Sequence, residues 1–222
     1  MKYRYDGQVT DERMDVYLET LASSVPEYLM EIANQAHEEH VPIMRRQTGE
    51  ILRYMIRSCN IKSILEVGTA IGYSALYMAS LDDNICIDTV EKVPARIESA
   101  KKNFKQYSQG QRINLLEGDA AEVLKKLQNE KRLYDMVFLD AAKAQYSIYM
   151  EHIYELLESG GLVITDNVLQ EGELLNSRYA VNRRDRTIHS RMREFLYEIT
   201  HSDKWETVVL PIGDGIAMST RR

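Results

Sequence analysis

The sequence beyond residue 60 alternates short runs of branched apolar residues with amphipathic stretches, and this alternation limits the fold more than any other feature. We predict strands at residues 63–67, 85–90, 113–117, 134–139 and 162–165. Helical spacing of apolar residues predicts helices at residues 72–80, 94–107, 120–128 and 144–157. Runs such as Met136-Val137-Phe138-Leu139 are apolar on both faces, which is typical of strands inside a parallel sheet. The pattern therefore predicts a doubly wound, mostly parallel α/β sheet.

The two ends of the chain depart from this alternation. The first 60 residues show helical spacing at residues 11–21, 26–40 and 46–58. Near the C-terminus, a predicted helix at residues 188–200 precedes two strand-like runs, 205–211 and 216–220, joined by Gly213-Asp214-Gly215. These runs predict an antiparallel hairpin at one edge of the sheet. Because 222 residues suit one α/β domain, we predict a single domain, 1–222, with helices 1–60 packed on a core formed by 61–222.

Composition excludes some classes of function. The net charge of −6 argues against a globally basic nucleic-acid binder, although it allows a local basic patch. The two cysteines, Cys59 and Cys86, form no CxxC pair, and we interpret them as reduced core thiols of a cytoplasmic protein. The polar N-terminus predicts no signal peptide, and no apolar run approaches the length of a membrane span, so we expect no membrane partner.

A glycine-rich turn, from Gly68 to Gly72, follows the first predicted strand, and the second strand ends at Glu91. In doubly wound sheets, ligands bind at the carboxyl ends of strands, where glycines allow close approach and a carboxylate holds ribose hydroxyls. A nicotinamide dinucleotide requires a different glycine spacing, Gly-x-Gly-x-x-Gly. S-adenosylmethionine has no phosphates, and its ammonium favours a carboxylate, for which Glu66 is a candidate. A tight structural turn without a ligand is the alternative.

The third predicted strand ends in Gly118-Asp119-Ala120. This position at the edge of the sheet would place Asp119 and Ala120 beside the adenine of the same cofactor. The alternative is an ordinary helix cap, since an aspartate at the first position of a helix is common.

Acidic and amide side chains follow the fourth and fifth predicted strands. Asp140 ends one strand, and Asp166 and Asn167 end the next. Their oxygens together form a hard ligand set that suits Mg²⁺, whereas either aspartate alone is better explained as a helix cap. A metal here would lower the pKa of a substrate hydroxyl, and Lys143 would take its proton. The oxyanion would then attack a sulfonium methyl group.

From about Val41 onward, the sequence resembles the cation-dependent O-methyltransferases of the catechol and caffeoyl-CoA type. The resemblance lies in the segments from Glu66 to Ser74, from Phe138 to Lys143 and from Thr165 to Val168. It implies the Rossmann-like fold of class I S-adenosylmethionine methyltransferases. It also implies that Asp140, Asp166 and Asn167 hold Mg²⁺, that Lys143 is the general base and that Glu91 holds the ribose. By the same resemblance, Met44 and Ser74 belong to the cofactor site.

Within this family, the chain is most similar to the bacterial tRNA 5-hydroxyuridine methyltransferases, notably in the segments from His40 to Met44 and from Pro211 to Ala217. That similarity implies methylation of the tRNA wobble nucleotide to 5-methoxyuridine. Independently of it, a basic stretch follows Asn167, and we predict RNA contacts at four of its residues, Arg178, Arg183, Arg184 and Arg186.

Several alternatives stay open. The basic stretch is equally well explained as a solvated helix start paired with Glu194 and Glu198. The substrate is alternatively a small catechol or a phenolic acyl thioester, and a catalytically silent RNA-binding module is a further alternative. Tyr73, Tyr146 and Tyr149 are candidates either for base stacking or for buried packing. The N-terminal helices are predicted to cover the substrate site or to form a homodimer contact.

Overall fold

The computed structural model describes residues 12–222, apart from the side chains of Glu12 and Glu171. Seven strands form one sheet: β1 (Ser63–Val67), β2 (Cys86–Glu91), β3 (Ile113–Glu117), β4 (Tyr134–Leu139), β5 (Leu157–Thr165), β6 (Trp205–Leu210) and β7 (Ile216–Arg221). The helices are α1 (Glu12–Leu21), α2 (Glu27–Glu38), α3 (Arg46–Ser58), α4 (Tyr73–Ala79), α5 (Pro94–Gln106), α6 (Ala120–Asn129), α7 (Tyr146–Glu155) and α8 (Arg186–Thr200). Short 3₁₀ turns lie at Ser108–Arg112, Lys143–Gln145 and Gln170–Leu175.

The strand order is β3-β2-β1-β4-β5-β7-β6. Strands β1 to β5 are parallel, and β7 runs antiparallel to both β5 and β6. The order reverses between β1 and β4, which is where ligands bind in open α/β sheets. This topology confirms the predicted doubly wound, mostly parallel sheet with a C-terminal antiparallel pair.

The sheet separates two apolar layers, because alternate residues of each strand point to opposite faces. On one face, Ile64 and Phe138 pack in a cluster with buried residues of α2, α3 and α4. On the other face, Leu65 and Val137 pack with buried residues of α6, α7 and α8. The central strands are therefore buried on both sides, which explains their continuous apolar sequence.

Some element bounds differ from those predicted. Strand β5 begins at Leu157, five residues before the predicted start, and its first part includes the exposed glycine Gly160. Helix α7 begins at Tyr146, because Lys143–Gln145 form a 3₁₀ turn. Helix α8 begins earlier than predicted, at Arg186. The predicted start of the first helix at residue 11 lies outside the described residues.

The interpretation of the cysteines as core thiols is wrong. Both Cys59 and Cys86 are free and exposed. Each lies at the end of an element, Cys59 directly after α3 and Cys86 at the first position of β2, where the side chain reaches solvent.

Among the described residues, no helix has the length and apolar character that a membrane crossing requires. Helices α2 and α3 pack on α4 through the first apolar layer, and the extent of the single domain stays a prediction.

Candidate active site

A cavity of about 570 Å³ opens at the carboxyl ends of β1, β2, β4 and β5. Most of the predicted site residues lie in its wall: Met44, Gly68, Ser74, Glu91, Ala120, Asp140, Lys143 and Asn167. Four others lie outside the wall that the described residues form: Glu66, Gly72, Asp119 and Asp166. The fold thus gathers residues from both ends of the sequence at the point where the strand order reverses.

The Glu91 carboxylate organises the loops on the β1–β2 side of the cavity. Its Oε2 atom accepts a hydrogen bond from the backbone N–H of Ala70 (2.9 Å). Its Oε1 atom accepts from the backbone N–H groups of Lys92 (2.9 Å) and Val93 (3.0 Å). A carboxylate offers about four acceptor sites, so about one remains for a ligand hydroxyl. Glu91 is therefore held rigidly in the cavity wall with capacity left to accept a hydrogen bond from a ligand.

The two glycines of the turn permit close contacts within the chain that the sequence did not predict. A Cβ atom on Gly68 would lie 2.0 Å from the backbone oxygen of Asp140, and one on Gly72 would lie 2.5 Å from the Phe104 ring. Both glycines also adopt positive φ angles, +110° and +87°. The close approach that they permit is to other parts of this chain, and only Gly68 also reaches the cavity.

Glu66 lies fully buried beneath the turn. Its Oε2 atom accepts a hydrogen bond from the Thr89 hydroxyl, whereas Oε1 has no partner among the described residues. Burial is the main reason that the pKa of Glu66 rises to about 8. The group is therefore mostly protonated at neutral pH. A cationic ligand nearby would favour its ionised form, and the unpartnered oxygen suits such a ligand.

Asp119 matches the alternative reading of its motif. Its Oδ1 atom accepts a hydrogen bond from the backbone N–H of Ala121 (3.0 Å), as a helix cap does, and Oδ2 lies 3.2 Å from the Lys92 ammonium. The neighbours Gly118 and Ala120 line the cavity instead.

Two carboxylates lie at the ends of the adjacent strands β4 and β5, Asp140 half-buried in the cavity wall and Asp166 buried. The backbone N–H of Asp140 donates to Val67, and that of Asp166 donates to Leu139, both at 3.0 Å. Burial raises the pKa of Asp140. Burial, and secondarily the charge of Asp140, raises the pKa of Asp166 to about 7. The site thus carries negative charge that nearby protein groups compensate only in part.

The Asp166 carboxylate is oriented from two directions. Its Oδ1 atom accepts from the Asn167 backbone N–H (2.8 Å) and from the Thr48 hydroxyl (3.3 Å), while Oδ2 is buried without a partner among the described residues. Asn167 itself has a φ angle of +57°, which is uncommon for a residue other than glycine. An unpartnered carboxylate oxygen, a second carboxylate and an amide form an all-oxygen donor set that fits Mg²⁺.

Sequence reasoning missed Asp214 and Thr48. The Lys143 Nζ atom lies 3.8 Å from Oδ2 of Asp214, a buried residue of the turn before β7. The sequence offered one signal for Asp214: β7 runs antiparallel to β5, so the turn preceding it must lie at the carboxyl end of β5, where Thr165 pairs with Ala217. Thr48 offered no comparable signal, because 118 residues separate it from Asp166.

The three tyrosines proposed as stacking residues differ in access. Tyr146 is fully buried, and its hydroxyl donates to the backbone oxygen of Asp166 (3.4 Å), so it packs in the core. Tyr149 is 2% exposed and donates to the side chain of Gln145. Tyr73 is half-buried and lines the cavity, so it is the most accessible of the three.

The basic stretch divides into two groups. Arg178, Arg183 and Arg184 are exposed, although Arg184 also lies 3.3 Å from the Asp185 carboxylate. Three further arginines of the stretch donate hydrogen bonds to backbone oxygens: Arg186 to Tyr179 and Val181, Arg191 to Ala144, and Arg193 to Leu174. Because Ala144 adjoins Lys143, Arg191 attaches α8 to the edge of the cavity.

Comparisons with known proteins agree with this architecture. A family model described as O-methyltransferase matches residues 19–222. A catechol O-methyltransferase from Niastella koreensis is 30% identical over 169 residues, covering 74% of this chain and 76% of the relative. A solved Staphylococcus aureus structure, provisionally named a caffeoyl-CoA O-methyltransferase, has a TM-score of 0.87 and 33% identity, covering 95% of this chain and 100% of that chain.

A second solved structure is the SAH-bound methyltransferase PaMTH1 from Podospora anserina. Its TM-score is 0.86 and its identity 26%, covering 100% of this chain and 99% of that chain. The family match spans α2, α3, the residues that line the cavity and the C-terminal hairpin. By this match, and by its likeness to the catechol O-methyltransferase, the chain belongs to the O-methyltransferase family.

Proposed function

We propose that this chain is an S-adenosylmethionine- and Mg²⁺-dependent O-methyltransferase that acts on the 5-hydroxyl of 5-hydroxyuridine at the tRNA wobble position and yields 5-methoxyuridine. The observation that carries the chemistry is the pair of carboxylates at adjacent strand ends, the half-buried Asp140 and the buried Asp166, with Asp140 and Lys143 both in the cavity wall. A substrate with two vicinal oxygens, as in a catechol or in the 4-carbonyl and 5-hydroxyl of this nucleoside, suits such a site.

The proposed methyl donor is S-adenosylmethionine. PaMTH1 is SAH-bound, and SAH is the compound that remains once this donor has lost its methyl group. The proposed contacts are Met44, Gly68, Ser74, Glu91 and Ala120, all in the cavity wall. The unpartnered oxygen of Glu66 is the proposed partner of the donor's ammonium, directly or through water.

Asp140, Asp166 and Asn167 are the residues that would hold Mg²⁺. When bound, the cation supplies positive charge that lowers the pKa of a substrate hydroxyl and so favours its nucleophilic form. Thr48 keeps the Asp166 carboxylate in one orientation through its hydrogen bond to Oδ1. Such supporting contacts typically change metal affinity or activity about 10- to 100-fold.

Lys143 is the proposed general base. It takes the hydroxyl proton on Nζ, and the substrate oxygen then bonds to the methyl carbon. The carbon–sulfur bond breaks, and its electron pair stays on the sulfur. Asp214 stabilises the ammonium that forms on Lys143, from 3.8 Å away. Holding the two reactants at near-attack distance contributes about 7–11 kcal/mol to such a reaction.

The exposed arginines support RNA as the substrate class. Arg178, Arg183 and Arg184 lie in the segment that starts at Asn167, which is itself a proposed metal ligand. They are the exposed residues of a basic stretch in an acidic protein. Phosphate contacts require such local positive charge.

A homodimer is a further proposal, supported by the exposed apolar residues of α1, among them Tyr17 and Leu21.

A small catechol or a caffeoyl-CoA-like phenolic is the second candidate substrate. The names of several relatives favour it, such as the catechol O-methyltransferase from Niastella koreensis and the caffeoyl-CoA O-methyltransferase from Citrus natsudaidai. Both candidates require the same chemistry, so only the substrate distinguishes them.

Nucleoside mass spectrometry of tRNA from cells that lack this protein tests the proposal. We expect 5-hydroxyuridine to accumulate and 5-methoxyuridine to disappear, and restoring the gene reverses the change. In vitro, R183E/R184E should lose methylation of tRNA while a free catechol is still methylated, because a catechol has no phosphate to contact. An unchanged nucleoside profile would favour the small phenolic substrate.

A further inference from the structure

Tyr179 is the most exposed large side chain with apolar character among the described residues, with 84% of its surface accessible. It lies in the segment between Asn167 and α8, next to Arg178. An exposed tyrosine ring offers contact area at a small cost in conformational entropy, and tyrosine is enriched where proteins bind partners. Most of the surface of the ring is therefore available to a ligand.

The backbone around Tyr179 is held in place by hydrogen bonds. The Tyr179 N–H donates to the Ser177 hydroxyl (3.4 Å), and the Ala180 N–H donates to the Ser177 backbone oxygen (2.8 Å). Arg186 donates to the backbone oxygens of Tyr179 (3.3 Å) and Val181 (3.2 Å). Val181 is itself buried, so it anchors the segment to the core. The exposed ring is therefore carried on an ordered support.

The Arg186 guanidinium also contacts the ring, at 5.8 Å from its centroid. A cation at this distance is attracted to the face of an aromatic ring and keeps it in one orientation. The high exposure of the ring means that the rest of its surface is open to solvent. Arg186 thus acts as a support for Tyr179, which explains why its donors are directed into the segment.

The surroundings of the ring are basic. Arg178 is adjacent in sequence, and Arg183 and Arg184 follow within five residues, all exposed. Positive charge next to an open aromatic ring matches a single-stranded nucleic acid, in which phosphates alternate with stackable bases. An acidic peptide would satisfy the arginines and would leave the ring without a flat partner.

We propose that Tyr179 is a stacking platform for an unpaired base of the RNA substrate, with the neighbouring arginines on the flanking phosphates. This inference rests on the proposed function and adds a recognition site outside the catalytic cavity. The segment that carries Tyr179 begins at Asn167 in the cavity wall, so a base on this platform would belong to the part of the RNA that stays outside the cavity. Stacking on an aromatic ring tolerates any base, so the site would add affinity more than sequence preference.

The test measures binding of a synthetic anticodon stem-loop RNA, with uridine at the wobble position, by fluorescence anisotropy at several salt concentrations. We expect Y179A to raise the Kd roughly tenfold and Y179F to stay within about twofold of the wild type, since phenylalanine keeps the stacking face. Because no phosphate contact is removed, the dependence of the Kd on salt should keep its slope in Y179A. R183A should instead reduce that slope by about one.

Y197A is the matched control, because Tyr197 is another exposed tyrosine (66%) and lies on α8 against His201. It should bind the RNA as the wild type does. The inference is overturned if Y179A binds normally, if Y179F is as weak as Y179A, or if Y197A weakens binding equally. A wild-type protein that neither binds the stem-loop nor methylates 5-hydroxyuridine in tRNA would refute the proposed function itself.

Discussion

On the β1–β2 side of the cavity, the Glu91 carboxylate accepts hydrogen bonds from three backbone N–H groups, and the turn is complete without any ligand. On the β4–β5 side, the half-buried Asp140 and the buried Asp166 each have a raised pKa, and one oxygen of Asp166 has no partner among the described residues. The first side is built for stability in the free protein. On the second side, the free protein keeps two poorly solvated carboxylates close together, at a cost in free energy that a bound cation would remove. This is the pattern of a preorganised binding site.

The largest expected effect is on the β4–β5 side. D140N removes one carboxylate from the proposed metal site, and kcat/KM should fall on the order of 10³-fold, corresponding to several kcal/mol of lost stabilisation. The unfolding temperature of the metal-free protein should not fall, because one of two like charges in a buried site has been removed. Steady-state kinetics and calorimetry measure the two quantities. Activity that survives the substitution would contradict the assignment of Asp140.

The next effect is on the β1–β2 side and concerns stability. G68A should destabilise the fold on the order of 4 kcal/mol, since its Cβ would lie 2.0 Å from the Asp140 backbone oxygen and the residue has a positive φ angle. Denaturant unfolding measures this loss. G160A is the matched control: it also has a positive φ angle, but no described atom lies within 4 Å of its Cβ position. If both variants lose the same stability, the close contact is irrelevant and only the backbone strain counts.

Glu66 is the exception on the first side, because it is buried with an unpartnered oxygen. Its pKa rises from 4.5 in the unfolded chain to about 8 in the folded protein. The folded state therefore binds the proton of Glu66 more tightly than the unfolded chain does. The contribution of this group to the free energy of unfolding is fully present below pH 4.5 and is lost as the pH rises through 8. E66Q should remove this dependence and gain on the order of 3 kcal/mol over the wild type at pH 7.

Denaturant unfolding of the wild type and E66Q at pH 5, 7 and 8.5 measures the difference. We expect the two curves of stability against pH to separate as the pH rises, with E66Q the more stable. Parallel curves would show that the folded protein keeps Glu66 ionised. The β1–β2 side would then also carry a buried charge, and the contrast between the two sides of the cavity would be weaker.

The sequence was sufficient for features that depend on local pattern and topology. Alternating strands and helices predicted the sheet, and the sheet brought Asp140 and Asp166 to adjacent strand ends. Roles that depend on a distant partner were not predictable. The requirement for Gly72 comes from the Phe104 ring, 32 residues away, and no local rule distinguishes that from a ligand contact.

The cysteine error has a similar cause. Burial of a strand residue depends on its position within the element as well as on its type, and Cys86 begins β2 on the exposed side. The basic stretch shows the same limit, because its residues look equivalent in sequence although the fold directs Arg186 inward and leaves Arg183 exposed.

The position of β7 between β5 and β6 has a consequence for the order of folding. The last of the seven described strands in chain order is an interior strand of the sheet, and the turn before it carries Asp214. The backbone N–H groups of Val168 and Leu169 also bond to Gly215 and Asp214 of that turn. The wall of the cavity is therefore complete only after β7 has paired with β5, so closure of the cavity depends on the C-terminal hairpin.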